Sequence, residues 1–431
     1  MTALYLEAHK TPANLSQKQR LQIYKTMLLS RRLDDTEIHM KRLNQVFFQI
    51  SGAGHEATLV AASMHLQSGH DWFFPYYRDR ALCLGLGVTP HQMLLQAVGA
   101  RDDPASGGRQ MPSHWSHVEH HIVSQSSPTG TQFLGAVGVA EGGMRIGRLG
   151  LAERDGVSFA KDEVVYVSAG DGTTSEGEFF EALNTSSNLK LPIIFHIEDN
   201  GYAISVPVEV QTAGGSISEL VRNFPDLLVV EFDGCDPEAS YNAWADGVAY
   251  ARRRQGPVLM HAHVVRPYSH SMSDDERAYR TGHERELQAQ RDPIDSYRRR
   301  LVDEFGIAEK KLSAVESEVA EEINEARQAA VAAEPPDPAQ ALMYIYSPDV
   351  DPTSARFSTE PEYPEPGPER RELTMVDAIN ACLRDEMAID PSILVFGEDV
   401  ADASRDDILE EVKGKGGVFK VTAGLQRRFG S

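Results

Sequence analysis

Residues 163–205 read EVVYVSAGDGTTSEGEFFEALNTSSNLKLPIIFHIEDNGYAIS. The first seven, Glu163–Ala169, form a short apolar run rich in β-branched residues, which reads as a buried strand. Gly170-Asp171-Gly172 ends that run, because glycine turns the backbone tightly and lets another group approach it closely. Glu176–Leu189 reads as a helix, and Pro192–Ile197 (PIIFHI) as a second strand that closes at Glu198-Asp199-Asn200-Gly201. A strand, a helix and a second strand within forty residues make a βαβ unit with parallel strands.

Beyond this unit the alternation continues. Leu227–Phe232 (LLVVEF) and Pro257–Val265 (PVLMHAHVV) read as strands, with a helix over Ala239–Arg253 between them. The fold class is therefore α/β, a parallel sheet with helices on both faces. In such sheets ligands bind beyond the carboxyl ends of the strands. Asp171 and Asn200 each follow a strand end, 29 residues apart. If the strands are neighbours, a carboxylate and an amide oxygen lie side by side, a donor set for a small hard cation such as Mg²⁺. A backbone carbonyl from the turn after Asn200 adds a further donor, and the N-terminus of the helix that starts near Glu176 offers N–H groups to a phosphate. The residues alone thus point to a metal-bridged diphosphate.

The flanks are less regular. Ser16 to about Gln45 is helix-like, with Leu21, Tyr24 and Leu28 at helical spacing, and another helix follows Gly54. Ser68–Arg80 is an aromatic, turn-rich loop, and Gly107–Gln132 reads as an irregular binding loop rich in His, Ser, Gly and Pro. Asp292–Gln328 reads as strongly helical and charged, with Leu312, Val315, Val319 and Ile323 down one side. Composition changes near Pro348 to a proline- and glutamate-rich linker, with a new helical pattern from Thr374 and a strand-like SILVFGEDV (Ser392–Val400) beyond it. About sixty residues with one helix and one strand cannot close a core alone, so the expectation here is the start of a second α/β domain. The boundaries are 1–345, a linker at 346–372, and 373–431.

The chain has 431 residues, with 42 Lys plus Arg against 64 Asp plus Glu and a formal net charge of −22. That balance argues against nucleic-acid and anionic-membrane partners, and leaves room for a basic pocket that binds a small anion. Cys83, Cys235 and Cys382 are scattered and have no metal-type spacing. Met1–Lys10 has no secretory pattern, and no apolar run is long enough to span a bilayer. The expectation is a cytoplasmic protein. His114, His117, His120 and His121 suggest a metal cluster, but their loop-like context argues against zinc. The acidic run Asp274-Asp275-Glu276 reads as a solvated face.

GDG followed by an acid-Asn pair resembles the thiamine diphosphate fingerprint. Together with NGYAIS, GGRQMPSHW, SSPTGTQ and SHSMSDDERAYR, it resembles the α subunit of the 2-oxoacid dehydrogenases, the first component of those complexes, with the branched-chain type nearest. TMVDAINACLRDEMAIDPSILVFGEDV and GGVFKVTAGL, from Thr374 onward, resemble the start of the β subunit of the same enzymes. The resemblance implies a thiamine diphosphate-binding fold and an α–β fusion with a truncated β part.

It also implies roles. Asp171, the Asn200 side chain and the Tyr202 carbonyl would bind Mg²⁺. Tyr77, Arg78, Gly170, Gly172 and Thr173 would contact the diphosphate region. Ser127 and Thr129 would hold the aminopyrimidine, with Ile204 beside the cofactor. Ser126, Pro128, Thr131 and Gln132 match a potassium (K⁺) site. Arg266 and His270 would reach the diphosphate and the reacting carbon as the catalytic pair. Where the family usually has Asn-Asn, Asp199 precedes Asn200 and leaves the ligand position intact. Ser271 matches a position that mitochondrial relatives phosphorylate, without implying regulation here.

The implied activity is oxidative decarboxylation of a 2-oxoacid, most simply a branched-chain one, with the acyl group passed to the lipoyl group of a partner dihydrolipoyl acyltransferase. Pyruvate or acetoin dehydrogenase is the alternative within the family. A transketolase-type transferase and a non-catalytic assembly fragment are the alternatives outside it. The family's activating carboxylate lies in the β part beyond this sequence and is not matched by Glu398, so the isolated chain is expected to turn over poorly without the remaining β part. A homodimer of fused chains would rebuild the usual heterotetramer.

Overall fold

The computed structural model describes residues 4–7, 12–151, 158–343, 345–347, 349–351, 353–354 and 372–430. Two compact units are present. The first comprises residues 1–144 and 159–342, the second residues 145–158 and 343–431.

A six-stranded sheet organises the first unit. Its strands are β1 (Leu4–Glu7), β2 (Trp72–Phe74), β3 (Val165–Gly170), β4 (Ile193–Asp199), β7 (Leu228–Asp233) and β8 (Val258–His263). The order is β1-β7-β8-β4-β3-β2, and every pair is parallel. A two-residue pair, β5 (Tyr202–Ala203) and β6 (Val206–Pro207), forms a separate hairpin just past β4. The three strands called from apolar runs before β8 and β8 itself all form. β1 is not among the strands read from apolar runs, and β2 falls within the stretch that reads as a loop. β2 is strand because the chain from Trp72 pairs with Val165–Val167, a long-range partner that local composition does not reveal.

Both faces of the sheet are buried, as expected for βαβ topology. The two-residue alternation sorts the side chains. Tyr166, Ile194, Val230 and Met260 face one core with α1 (Gln17–Arg42), α2 (Glu56–Ser63) and α7 (Pro237–Arg252). Val165, Val167, Phe195, Val229 and Leu259 face the other with α5 (Thr131–Leu149) and α6 (Gly177–Leu189). Helix α1 starts at a capping box between Ser16 and Gln19. Helices α3 (Arg80–Leu86) and α4 (Pro90–Val98) add to the first core.

The helical stretch Asp292–Gln328 forms as two helices, α9 (Pro293–Asp303) and α10 (Glu309–Val331), with α8 (Gly282–Gln290) before them. Gly306 sits between them at φ +63°, a left-handed conformation that ends the first helix, and Ile307 beyond it is buried. Helix α5 went unread because it carries five glycines. Gly135 lies against the Phe74 ring, where a Cβ would meet Cε1 at 3.3 Å, so close packing outweighs poor propensity.

In the second unit the helix from Thr374 forms as α11 (Met375–Ile389), capped by Thr374. The strand expected over Ser392–Val400 does not: those residues are coil and turns. A strand needs a hydrogen-bonding neighbour, and the described residues of this unit supply none. Most of the 346–372 linker lies outside the described residues.

Candidate active site

The register pairs Gly170 with Glu198, so Asp171 and Asn200 follow adjacent strand ends. The Asp171–Ser175 turn is clamped by Thr174 Oγ1 and Gln211 Nε2, which donate to the Asp171 carbonyl at 2.8 and 2.9 Å. The Asp171 side chain is 1% exposed, and neither carboxylate oxygen has a hydrogen-bond partner. Burial first, and the charge of Asp199 second, push its pKa up to about 7. An unpaired buried carboxylate is costly and is normally matched by a cation. The Asn200 amide oxygen accepts from the Tyr202 N–H at 3.3 Å. Gly172 backs onto the hairpin, where a Cβ would fall 2.7 Å from the Ala203 Cβ. Gly172→Ala is therefore expected to force the two turns apart. A cost of about 1–3 kcal/mol would show in thermal melts, with weaker cofactor binding by calorimetry. Ile204, between β5 and β6, is 53% exposed at φ +56°. A β-branched residue there is strained, and such strain concentrates at ligand sites.

Three cationic or imidazole side chains converge nearby. Arg78 is fully buried; its Nε donates to the Tyr76 hydroxyl at 3.1 Å and its Nη1 to the Ser51 carbonyl. Its Nη2 donates to His270 Nδ1 at 3.1 Å and to the His270 carbonyl at 3.0 Å. A guanidinium only donates, so His270 Nδ1 accepts, and the neutral ring carries its proton on Nε2. Burial, then the charges of Arg78 and Arg266, push the His270 pKa down to about 4. Arg266 is buried; its Nη2 donates to the Ile204 carbonyl at 2.9 Å and the Tyr279 hydroxyl at 2.8 Å, while Nε and Nη1 have no partner. Burial, Arg78 and Arg280 hold its pKa below the usual arginine value. Tyr77 stands edge-on to His270, with ring centroids 6.2 Å apart.

The acidic run is not uniformly a solvated face, which corrects the sequence reading. Asp274 accepts from the His270 N–H at 2.9 Å and the Tyr279 hydroxyl at 2.6 Å, and Glu276 pairs with the buried Arg280 at 3.1 Å. Only Asp275 behaves as expected, pairing with exposed Arg277. Ser271 is buried and bonds Ser273.

The 126–132 loop leads into α5 against the turn after β3: a Cβ on Gly130 would meet Glu176 at 3.2 Å and Thr173 at 3.7 Å. Ser127 Oγ bonds His114 Nε2 at 2.8 Å, and Thr129 is half-buried. Thr131 Oγ1 donates to the Pro128 carbonyl at 2.9 Å, and Ser126 is exposed. Gln132 is turned inward, donating to the Ser168 carbonyl and accepting from the Gly130 N–H, both at 3.0 Å. The neighbouring histidines have ring partners: His117 stacks on His120 and His121 on Trp72.

Sequence reasoning passed over the residues that brace this edge. In the Ser51-Gly52-Ala53-Gly54 turn, Ser51 Oγ and the Gly52 N–H both bond Asp34. Gly54, at φ +91°, lies against the Val265 carbonyl. His55 Nδ1 meets Glu198 Oε2 at 2.6 Å; burial and the nearby Asp79 charge hold the Glu198 carboxyl well above the usual range. The paired glycines of SGAG were the available signal. The long-range partners left none.

A model of the family described as Dehydrogenase E1 component matches residues 24–339. The chain belongs to that family. It is 34% identical over 333 residues to 2-oxoisovalerate dehydrogenase subunit alpha of Bacillus subtilis (strain 168), covering 77% of this chain and 97% of the relative. Against 3-methyl-2-oxobutanoate dehydrogenase subunit alpha of Mycobacterium tuberculosis (strain CDC 1551 / Oshkosh) it is 32% identical over 282 residues, covering 65% and 70%. Against pyruvate dehydrogenase E1 component subunit alpha of Bacillus subtilis (strain 168) it is 31% identical over 333 residues, covering 77% and 83%. Membership of the E1 family implies thiamine diphosphate as cofactor. The residues fit such a group: the unpaired Asp171 oxygens call for a cation, and the unpaired donors of buried Arg266 call for an anion.

Proposed function

We propose that this chain carries out the thiamine diphosphate-dependent oxidative decarboxylation of branched-chain 2-oxoacids, passing the acyl group to the lipoyl group of a partner acyltransferase. The observation that carries it is the buried, unpaired Asp171 carboxylate facing the same edge as Asn200 and the half-paired Arg266 guanidinium. When bound, the cofactor supplies the electron sink for loss of CO₂. Asp171, the Asn200 side chain and the Tyr202 carbonyl would hold Mg²⁺. Arg78, Arg266 and Tyr77, with the Gly170, Gly172 and Thr173 backbone, would bind the diphosphate. Ser127, Thr129 and Ile204 would hold the rings, and Ser126, Pro128, Thr131 and Gln132 would bind K⁺. His270 presents its Nε2 proton to the reacting centre while Arg78 fixes the ring through Nδ1.

Arg266→Met is expected to weaken thiamine diphosphate binding about ten- to hundredfold, the value of a charge-assisted hydrogen bond or two, as read by calorimetry. The segment after 373 is taken as β-type. Its exposed Met375, Ile389 and Phe396 support further β protein covering it, with a dimer of such chains as the assembly. The setting proposed is cytoplasmic, as the cysteine usage suggests.

The deciding assay mixes the full chain with a β subunit, Mg²⁺ and thiamine diphosphate, using a dye as electron acceptor. Turnover of 3-methyl-2-oxobutanoate at least tenfold above pyruvate supports the branched-chain reading. The reverse ratio favours pyruvate, the reading supported by the resemblance to the pyruvate dehydrogenase subunit. Turnover of neither acid overturns both.

A further inference from the structure

A second cluster lies at the carboxyl edge of the sheet, on the face opposite Glu198 and His196. Residues two apart on a strand share a face. Asp199 therefore continues the face of Phe195 and Ile197, Glu231 that of Val229, and His261 and His263 that of Leu259, all members of one core. The register sets Asp199 beside His263 and Glu231 beside His261. One ligand atom each from Asp199, His261 and His263 lies within 4.8 Å of the others.

The atoms are arranged in two shells. Asp199 Oδ2 is 3.0 Å from His261 Nε2 and 3.7 Å from His263 Nδ1. A tetrahedral ion with bonds of about 2.0–2.1 Å requires ligand separations of about 3.3 Å, between those two distances. The outer ring nitrogens are already engaged: His261 Nδ1 bonds Ser218 Oγ at 2.6 Å, and His263 Nε2 bonds Glu231 Oε1 at 2.7 Å. Partners on the outer nitrogens orient metal-binding histidines: the Glu231 carboxylate accepts from His263 Nε2 and leaves Nδ1 free, while the Ser218 hydroxyl can accept from His261 Nδ1 once an ion takes the place of the proton that His261 Nε2 now donates to Asp199. Asp199 Oδ1 is likewise braced, by the Gly201 N–H at 2.9 Å. His261 and Asp199 are buried, and the His263 side chain is 42% exposed, which gives an ion a way in.

We propose that Asp199, His261 and His263 form a binding site for a first-row divalent transition metal of the zinc type, separate from the Asp171 site. Two imidazoles and a carboxylate select such an ion over Mg²⁺ or Ca²⁺, which take all-oxygen ligand sets. Three protein ligands leave a fourth position for water. The ion ties the end of β4 to the end of β8 and so pins the turn that carries Asn200. The inference does not depend on the reaction proposed above.

The test uses the full chain, stripped with chelator and dialysed, with Zn²⁺ as the probe and Co²⁺ as its spectroscopic substitute. The expected result is a single zinc ion per chain by elemental analysis. Cobalt should give visible d–d absorption of tetrahedral or five-coordinate intensity, and the melting temperature should rise with zinc. His263→Asn, at a half-exposed position that tolerates the change, should lose all three responses, and His261→Asn should match it. Asp171→Asn should keep all three, which separates this site from the magnesium site. Zinc uptake unchanged in His263→Asn would overturn the proposal. So would a parent chain that takes up no zinc and shows no cobalt band, because the cluster is then a hydrogen-bonded clamp and nothing more.

Discussion

Asp171→Asn is expected to remove measurable binding of Mg²⁺-thiamine diphosphate and, in the same protein, to raise the melting temperature of the cofactor-free chain at neutral pH. Both effects follow from the two unpaired, buried carboxylate oxygens. The folded carboxyl titrates near 7, against 3.8 as the ordinary value. A raised acid pKa means that the folded state holds the proton more tightly than the unfolded one. Stability is then unaffected below pH 3.8, falls as the pH rises toward 7, and stays low above it. The full penalty is about 4 kcal/mol. An amide in its place carries no charge and, like the protonated carboxyl, leaves buried polar atoms unpaired, so that cost cancels between the two. The variant should therefore gain up to about 4 kcal/mol at pH 7.5 and nothing at pH 4. Melts across pH 4–8, with calorimetric titration of the cofactor, test both halves. Parent-like binding by the variant would remove the metal role of Asp171, and melting curves that coincide at every pH would remove the electrostatic argument.

His270→Ala is expected to lower kcat by about 10²–10⁴, the usual worth of a positioned proton donor, and to change the cofactor Kd by only a few fold. The binding groups, Asp171, Asn200 and Arg266, are untouched by the substitution. The pH dependence separates this role from a generic one. A folded pKa near 4 keeps His270 neutral throughout the neutral range, so the parent's rate profile should show no inflection near 6.5 that the variant lacks. The lowered pKa also means that His270 destabilises the fold progressively as the pH falls from 6.5 to about 4, and by the full amount below that. That contribution vanishes as pH rises above about 6.5. A stopped-flow measurement of decarboxylation with saturating cofactor and an added β subunit gives the rate. Equal kcat in parent and variant would leave His270 a positioning partner of Arg78 only.

Much of this was legible without coordinates. Apolar runs of six and seven residues, Pro192–Ile197 and Glu163–Ala169, closed by Asp-Asn-Gly and Gly-Asp-Gly, are strands that turn at their carboxyl ends, and two of them flanking one helix must lie parallel. Asp171 and Asn200 stand out as polar residues just past such runs, whereas Arg266 and His270 are marked only by the family resemblance. What stayed hidden shares one cause. Trp72–Phe74 is strand only because Val165–Val167 lies alongside it. Thr131–Leu149 is helix despite its glycines, two of which, Gly135 and Gly143, pack against the rings of Phe74 and Phe159. Asp274 leaves the solvent face because His270 and Tyr279 reach it.

The sequence by itself determined the parallel α/β class, the two strand tips that form the candidate cofactor site and, through its motifs, the family. Those properties reside in local periodicity and in residue types at short spacing, which survive without any knowledge of distant partners. Only the tertiary structure decided that Asp171 is unpaired, that His270 is neutral with its proton on Nε2, and that Asp199 shares a face with His261 and His263. Charge state and ligand geometry depend on burial and on groups tens of residues away, and one-dimensional order does not specify which of them meet.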